Sequence, residues 1–242
     1  MLPERPKGIT FGSELTGRHE ESCDVCIVGS GPGGATAAEV LARAGRDVLL
    51  VEEGPLPGPG AFVSPDEATS KYYRDSGFFA THWPIQIPIP TGRVFGGTSV
   101  INSGTCFHTP ESILDRWGRE LGVAFDRDTW YAVQDEIDED LSIKPCPYDT
   151  MSPSNHLFAE GLRKLGLGEG HALPRCEVGC DGSGECCFVC PVEAKQAMHL
   201  TLLRRALGYG MRAYVETRAV DVIQGGRVAV SYTHLRAHET VL

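Results

Sequence analysis

The sequence predicts an α/β fold built on a parallel sheet, and three observations along residues 23–52 carry that expectation. Cys23-Asp24-Val25-Cys26-Ile27-Val28 is a short, largely apolar run of the kind that forms a strand buried on both faces. It leads into Gly29-Ser30-Gly31-Pro32-Gly33-Gly34 and then into 35–44, where small and long side chains suit a helix that Gly45 terminates. A second apolar strand, 47–51, follows and ends on the acid Glu52. Strand, glycines, helix, strand and acid in that order make a Rossmann-like βαβ unit.

Each part of that unit has a physical task. Gly29 permits the sharp turn, Gly31 lets backbone approach a pyrophosphate, and Gly34 lets the helix pack close to the strand. The helix start then offers free N–H groups and the positive end of its dipole to phosphate. Gly29, Gly31, Gly33 and Gly34 are therefore candidate cofactor-binding residues. Glu52 is a fifth, because a carboxylate about twenty residues beyond the glycines accepts hydrogen bonds from a ribose and favours FAD or NAD over NADP. Glu53 is the neighbouring alternative, although strand alternation turns it the other way.

The pattern changes after the βαβ unit. Pro55, Pro57, Gly58, Pro59 and Gly60 interrupt it, and 83–90 alternates Ile with polar residues or proline, as an edge strand or extended loop does. Residues 111–121 read as a helix capped by Thr109 with Pro110 at its first position, and 128–141 as another. A linker at 144–153 precedes an amphipathic helix at 154–165 closed by Gly166. A cysteine-rich loop comes next, then a helix at 194–207. Strands follow at 212–217, 220–223 and 227–230, the last two joined by a tight turn at Gly225-Gly226.

Composition limits what this fold serves. The chain has 242 residues, 41% apolar and 22% charged, enough for one sizeable core or two small ones. A net charge of −10 with no Lys or Arg run argues against a grip on nucleic acid or anionic lipid. No apolar run has the length of a membrane span, and residues 1–20 lack the apolar core of a signal peptide, so the expected compartment is cytoplasmic. Nine cysteines, five of them between Cys176 and Cys190, suggest mostly reduced thiols rather than a secreted disulfide framework.

A second glycine segment narrows the cofactor. Gly92-Arg93-Val94-Phe95-Gly96-Gly97-Thr98-Ser99-Val100-Ile101-Asn102-Ser103-Gly104 gathers glycines, hydroxyls and an amide at an expected helix start. Such a segment offers backbone donors and short polar side chains to a flat polar ligand or to phosphate, although an ordinary capped turn has the same composition.

Together these motifs resemble the glucose-methanol-choline (GMC) oxidoreductases. The resemblance runs through 24–34, 48–52, 95–102, Cys186-Cys187-Phe188-Val189-Cys190-Pro191 with the residues to Gln196, and the late strand 216–220, and covers nearly all of 23–229. In order and spacing these are most similar to the long-chain alcohol and sterol oxidase-like branch. The resemblance implies a flavoprotein with FAD contacts at Gly96, Gly97, Thr98, Ser99 and Asn102, and a backbone contact to the adenine near Val220. Some members hold the flavin covalently on a histidine just before the Asn. Ile101 stands there in this chain, so the resemblance implies non-covalent FAD.

The implied chemistry is hydride removal from the CH–OH carbon of a small-molecule alcohol to the flavin, which oxygen or another acceptor then reoxidises. The family's proton-accepting His, with a second His or Asn, comes near the carboxyl terminus of a protein roughly twice this length, and nothing after Val220 matches it. The expectation is thus a fragment with no catalytic residue of its own. His82, His108, His156, His171 and His199 read better as surface or packing groups, with His108 the least distant from the flavin segment.

Five further features stand outside the chemistry that this resemblance implies. Residues 230–240 resemble the in-frame translation of a transposase adapter used in library preparation, so 230–242 are expected to be foreign, which removes the metal reading of the i, i+4 pair His234 and His238. Cys176, Cys180, Cys186, Cys187 and Cys190 offer thiolates for zinc or an iron–sulfur cluster, but gaps of three, five, none and two residues do not suit a ferredoxin, and a packed or locally disulfide-bonded loop fits better. Trp117 and Trp130 read as packing residues, the acidic run 135–140 as a solvated helix face, and Lys195 as a surface lysine.

The expected organisation is an extension at 1–22, the first part of an FAD-binding domain at 23–106, a helical and cysteine-rich substrate-side insert at 107–200, return strands at 201–229 and the foreign tail. Two other functions compete with alcohol oxidation. A two-dinucleotide flavoprotein reductase would need a second glycine fingerprint. A non-enzymatic flavin- or metal-binding redox module would need a metal on the cysteine loop.

Overall fold

A computed structural model describes residues 6–58, 64–82, 84–221, 232–235 and 238–241. In chain order its elements are β1 (Ile9–Phe11), β2 (Val25–Val28), α1 (Pro32–Arg43), β3 (Val48–Val51), α2 (Pro65–Tyr72), α3 (Glu111–Leu121), α4 (Arg127–Asp140), β4 (Ile143–Pro145), α5 (Pro153–Lys164), β5 (Pro174–Cys176), α6 (Leu202–Gly208), β6 (Arg212–Val215), β7 (Thr217–Arg218), β8 (Tyr232–Leu235) and β9 (His238–Val241). The chain divides into two units. The first comprises 1–103, 185–193 and 197–242; the second comprises 104–184 and 194–196.

The first unit is α/β. Its sheet has the order β1-β6-β3-β2, and every pairing within it is parallel. β3 lies inside the sheet and is an unbroken apolar run, and all four of its residues are buried, as a strand covered on both faces requires. Ala35, Ala38 and Ala42 give α1 a shallow buried face, and α1 packs against α6, whose Leu203 and Ala206 are buried. Buried Glu39 in α1 has Arg43 at 3.7 Å and Arg205 at 3.8 Å as charge partners, which offsets the cost of desolvating its carboxylate. The helix ends where expected: Gly45 takes φ +78° and its N–H reaches Ala42 O, while Arg46 N–H reaches Leu41 O.

Some elements differ from expectation. β1 pairs with β6 from a region with no strand signal of its own. α2 was not expected, although Ser64 accepts from Glu67 N–H at its start. Residues 194–201 are not helical, and α6 begins only at Leu202. Around 83–90 only an isolated antiparallel bridge, Ala80 with Pro88, is present among the described residues. Val220 and Asp221 lie outside any strand, and the rest of the expected strands 220–223 and 227–230, with their turn, lies outside the described residues. β7, β8 and β9 form a small antiparallel sheet.

The second unit carries α3, α4, α5 and the antiparallel pair β4 and β5. Asp126 caps α4, accepting from Thr129 N–H and Oγ1–H, and those hydrogen bonds hold its carboxyl below the usual range. Trp117, Phe125 and Trp130 form an aromatic cluster, with Phe125 and Trp130 edge to face at 5.4 Å between centroids. The acidic run is not wholly solvated, because Asp138 pairs with His108 at 2.9 Å. Lys195 corrects the surface reading: it is 3% exposed, in a short extended segment bridged to Glu177. Among the described residues no helix is long and apolar enough to cross a membrane.

Candidate functional site

The site grows from the end of β2. Gly29 takes φ +91° and donates its N–H to Val51 O at 2.8 Å, which turns the chain over the end of β3. A Cβ on Gly34 would lie 2.0 Å from Gly29 O, so only glycine lets α1 start this close to the turn. A Cβ on Gly31 or Gly33 would meet nothing within 4 Å. Gly31 is the N-cap residue, Pro32 follows as N1, and no side chain caps the helix. The N–H groups of the first turn are thus left to a ligand or to solvent.

Glu52 is 7% exposed and locked in place. One carboxylate oxygen, Oε2, accepts from Ser30 N–H at 2.9 Å and Ser30 Oγ–H at 2.5 Å. The other, Oε1, accepts from Gly54 N–H at 2.8 Å. An ionised carboxylate oxygen accepts about two hydrogen bonds, so Oε1 keeps room for another donor. Glu53 points elsewhere, toward Arg74 at 3.2 Å and Arg218 at 4.0 Å.

The second glycine segment lies directly against the first. Gly97 takes φ +59°, and a Cβ there would lie 2.6 Å from Gly31 Cα. Gly96 takes φ +107° and donates its N–H to Ser30 Oγ at 2.9 Å. Residues Gly97–Val100 form a short 3-10 turn rather than the start of a longer helix. Thr98 Oγ1 accepts from Gly92 N–H at 3.1 Å. Ser99 is 8% exposed, donating to Gly96 O at 2.6 Å and accepting from Met198 N–H at 3.0 Å. Asn102 is exposed at the end of this turn, and Val220 is exposed two residues past β7. The structure therefore brings Gly29, Gly31, Gly33, Gly34, Glu52, Gly96 and Gly97 together, while the Thr98 and Ser99 hydroxyls bond to backbone groups, of Gly92 for Thr98 and of Gly96 and Met198 for Ser99.

Ser30 is the connecting residue with the least signal in the sequence. It is fully buried and ties Glu52 to Gly96, yet it occupies the variable position between two fingerprint glycines, where only its hydroxyl signalled a role.

Part of the cysteine loop packs beside this region within the first unit. Tyr73 Oη–H reaches Cys187 O at 2.6 Å, and Val189 is buried with Tyr72, Tyr73, Val94, Val100 and Ile101. All nine cysteines are free thiols. Among the described residues no three His, Cys, Asp or Glu side chains gather as metal ligands do.

The GMC oxidoreductase family model matches residues 69–241, and an FAD-dependent oxidoreductase model matches 24–67. The chain belongs to the GMC oxidoreductase family. It is 35% identical over 192 residues to a GMC-type oxidoreductase of Mycobacterium tuberculosis, covering 78% of this chain and 30% of that protein. A long-chain-alcohol oxidase of Arabidopsis thaliana is 30% identical over 183 residues, covering 75% of this chain and 25% of that protein. Among solved structures, pyridoxine 4-oxidase from Mesorbium loti superposes with a TM-score of 0.59 at 19% identity, covering 91% of this chain and 48% of that one. That likeness shows the fold, and the GMC chain spans less than half the length of each of these proteins.

Proposed function

We propose that this chain is the FAD-binding portion of an oxidoreductase that oxidises the CH–OH group of a small-molecule alcohol, with oxygen or another acceptor taking the electrons. The observation that carries the reading is the pairing of an uncapped helix start at Gly31-Pro32-Gly33 with a buried carboxylate, Glu52, that retains one accepting position. The residues fit the cofactor. A side chain on Gly31 or Gly33 would stand in open space beside the first-turn N–H groups, the space a pyrophosphate needs.

When bound, FAD would supply the hydride acceptor. The protein's part is to hold and orient it. The Gly33 and Gly34 N–H groups would receive phosphate oxygens, and Glu52 Oε1 would accept from the adenosine ribose. Exposed Asn102 is the side chain of the second segment best placed to add a polar contact, and backbone near Val220 would flank the adenine. Ile101 carries no nucleophile, which rules out attachment through that side chain and supports FAD held without a covalent bond. No residue of the chain is assigned as the base, and the alcohol is left to its hydroxyl chemistry alone. Residues 230–242 are proposed to derive from adapter sequence, which resequencing the source DNA tests, although the family match extends to residue 241.

The test is titration of the purified chain with FAD, following flavin fluorescence. Saturable quenching is expected, with at least tenfold weaker binding for Glu52→Gln. Equal binding by the variant would remove Glu52 from the site.

A further inference from the structure

In the second unit, Cys106 and Cys176 converge on one residue. An antiparallel bridge joins Thr105 to Arg175, with Cys106 N–H donating to Pro174 O and Cys176 N–H to Gly104 O, both at 3.0 Å. Because side chains alternate along extended backbone, the residues flanking Thr105 and Arg175 share a face. Gly104 lies next to both thiols and has no side chain to crowd them. Cys106 Sγ lies 3.6 Å from Gly104 O, and Cys176 Sγ lies 3.6 Å from where a Cβ on Gly104 would stand. Cys106 S–H reaches Gly104 O, and the two thiols are close enough that a hydrogen bond between them couples their ionisation.

The surroundings make the two sulfurs unlike. That hydrogen bond lowers the Cys176 thiol to about 7; burial opposes the shift, and the charges of Lys195 and Arg175 assist it. Cys106 is pushed up by its hydrogen bond to Cys176, then by burial, with Asp138 adding negative potential. The pair thus favours Cys176 as the thiolate and leaves the proton on Cys106. This is the arrangement of an attacking and a resolving cysteine.

We propose that Cys106 and Cys176 form a peroxide-sensitive thiol pair that closes to a disulfide. The oxidant is a hydroperoxide. The Cys176 thiolate attacks one peroxide oxygen, the S–O bond forms and the O–O bond breaks, and the departing oxygen takes a proton to leave as water or an alcohol. Cys106 Sγ then attacks Cys176 Sγ, the S–S bond forms and the S–O bond breaks. The leaving hydroxide takes the Cys106 proton and departs as water. Two thiols lose two electrons and the peroxide gains them. Cys176 is only 7% exposed, so a compact peroxide is favoured over a bulky disulfide as the reagent.

The experiment uses the reduced 242-residue chain, treated with hydrogen peroxide, alkylated with iodoacetamide and mapped by peptide mass spectrometry. A linked pair of peptides containing Cys106 and Cys176, lighter than the free thiols by two hydrogens, is expected. The Cys186→Ser/Cys190→Ser double variant should keep the link. Cys106→Ser should lose it and leave Cys176 as a sulfenic acid that dimedone captures. Unlinked Cys176 in the peroxide-treated wild-type chain, or Cys176 joined to a different cysteine, would overturn the proposal.

Discussion

The Ser30 hydroxyl donates to Glu52 Oε2 at 2.5 Å and accepts from Gly96 N–H at 2.9 Å, so one buried side chain fixes the acid and holds the two glycine segments together. Replacing it with alanine leaves a buried carboxylate short of a donor and a buried N–H without an acceptor. Such orphaned groups cost about 1–3 kcal/mol. Ser30→Ala should lower unfolding free energy by that amount in a urea titration and also weaken FAD binding.

The glycines of the first loop divide by what surrounds them. Gly34→Ala would force a Cβ to within 2.0 Å of Gly29 O, backbone that cannot rotate away. It should destabilise the chain by about 3 kcal/mol, read as an earlier denaturation midpoint. Gly33→Ala meets nothing within 4 Å and lies in the first turn of α1, so its stability should hold or rise by up to about 1 kcal/mol. Its FAD affinity should nonetheless fall. Similar effects of the two substitutions on stability would contradict the assigned packing.

Glu21 supplies a pH dependence. Burial works against its ionisation, but hydrogen bonds from Tyr214 and His19 and the charge of Arg212 hold its carboxyl below the ordinary 4.5. The native state therefore binds fewer protons than the unfolded chain at mildly acidic pH. The contribution is fully present above pH 4.5 and is lost as pH falls through the lower native value. Denaturation of wild type and Glu21→Gln should differ most at neutral pH and converge as pH falls below 4.5.

Much of this fold was legible in the sequence because its strongest signals are local. The run from Val25 to Glu52 forms through neighbouring residues, and the left-handed turns at Gly29 and Gly45 fall on glycine, where such backbone is cheap. β1 was hidden because three residues show no alternation and its partner β6 lies at the other end of the chain. α2 is polar and gave no apolar period, though Ser64 three residues before Glu67 was a readable cap. Residues 194–196 have helical composition, but pairing with the strand around Glu177 overrides that propensity and carries Lys195 inside. Which hydroxyl meets which backbone group, as with Ser99 and Met198 N–H, depends on contacts across nearly a hundred residues and has no local signature.

In the proposed function, the uncapped start of α1 and the Glu52 carboxylate make a cofactor cradle. The most direct measurement is FAD titration of the wild-type chain beside Gly33→Ala. Saturable binding by the wild type, markedly weakened in an equally stable Gly33→Ala chain, is the predicted result. Equal affinity for the two chains, or no saturable binding by a folded wild type, would contradict it.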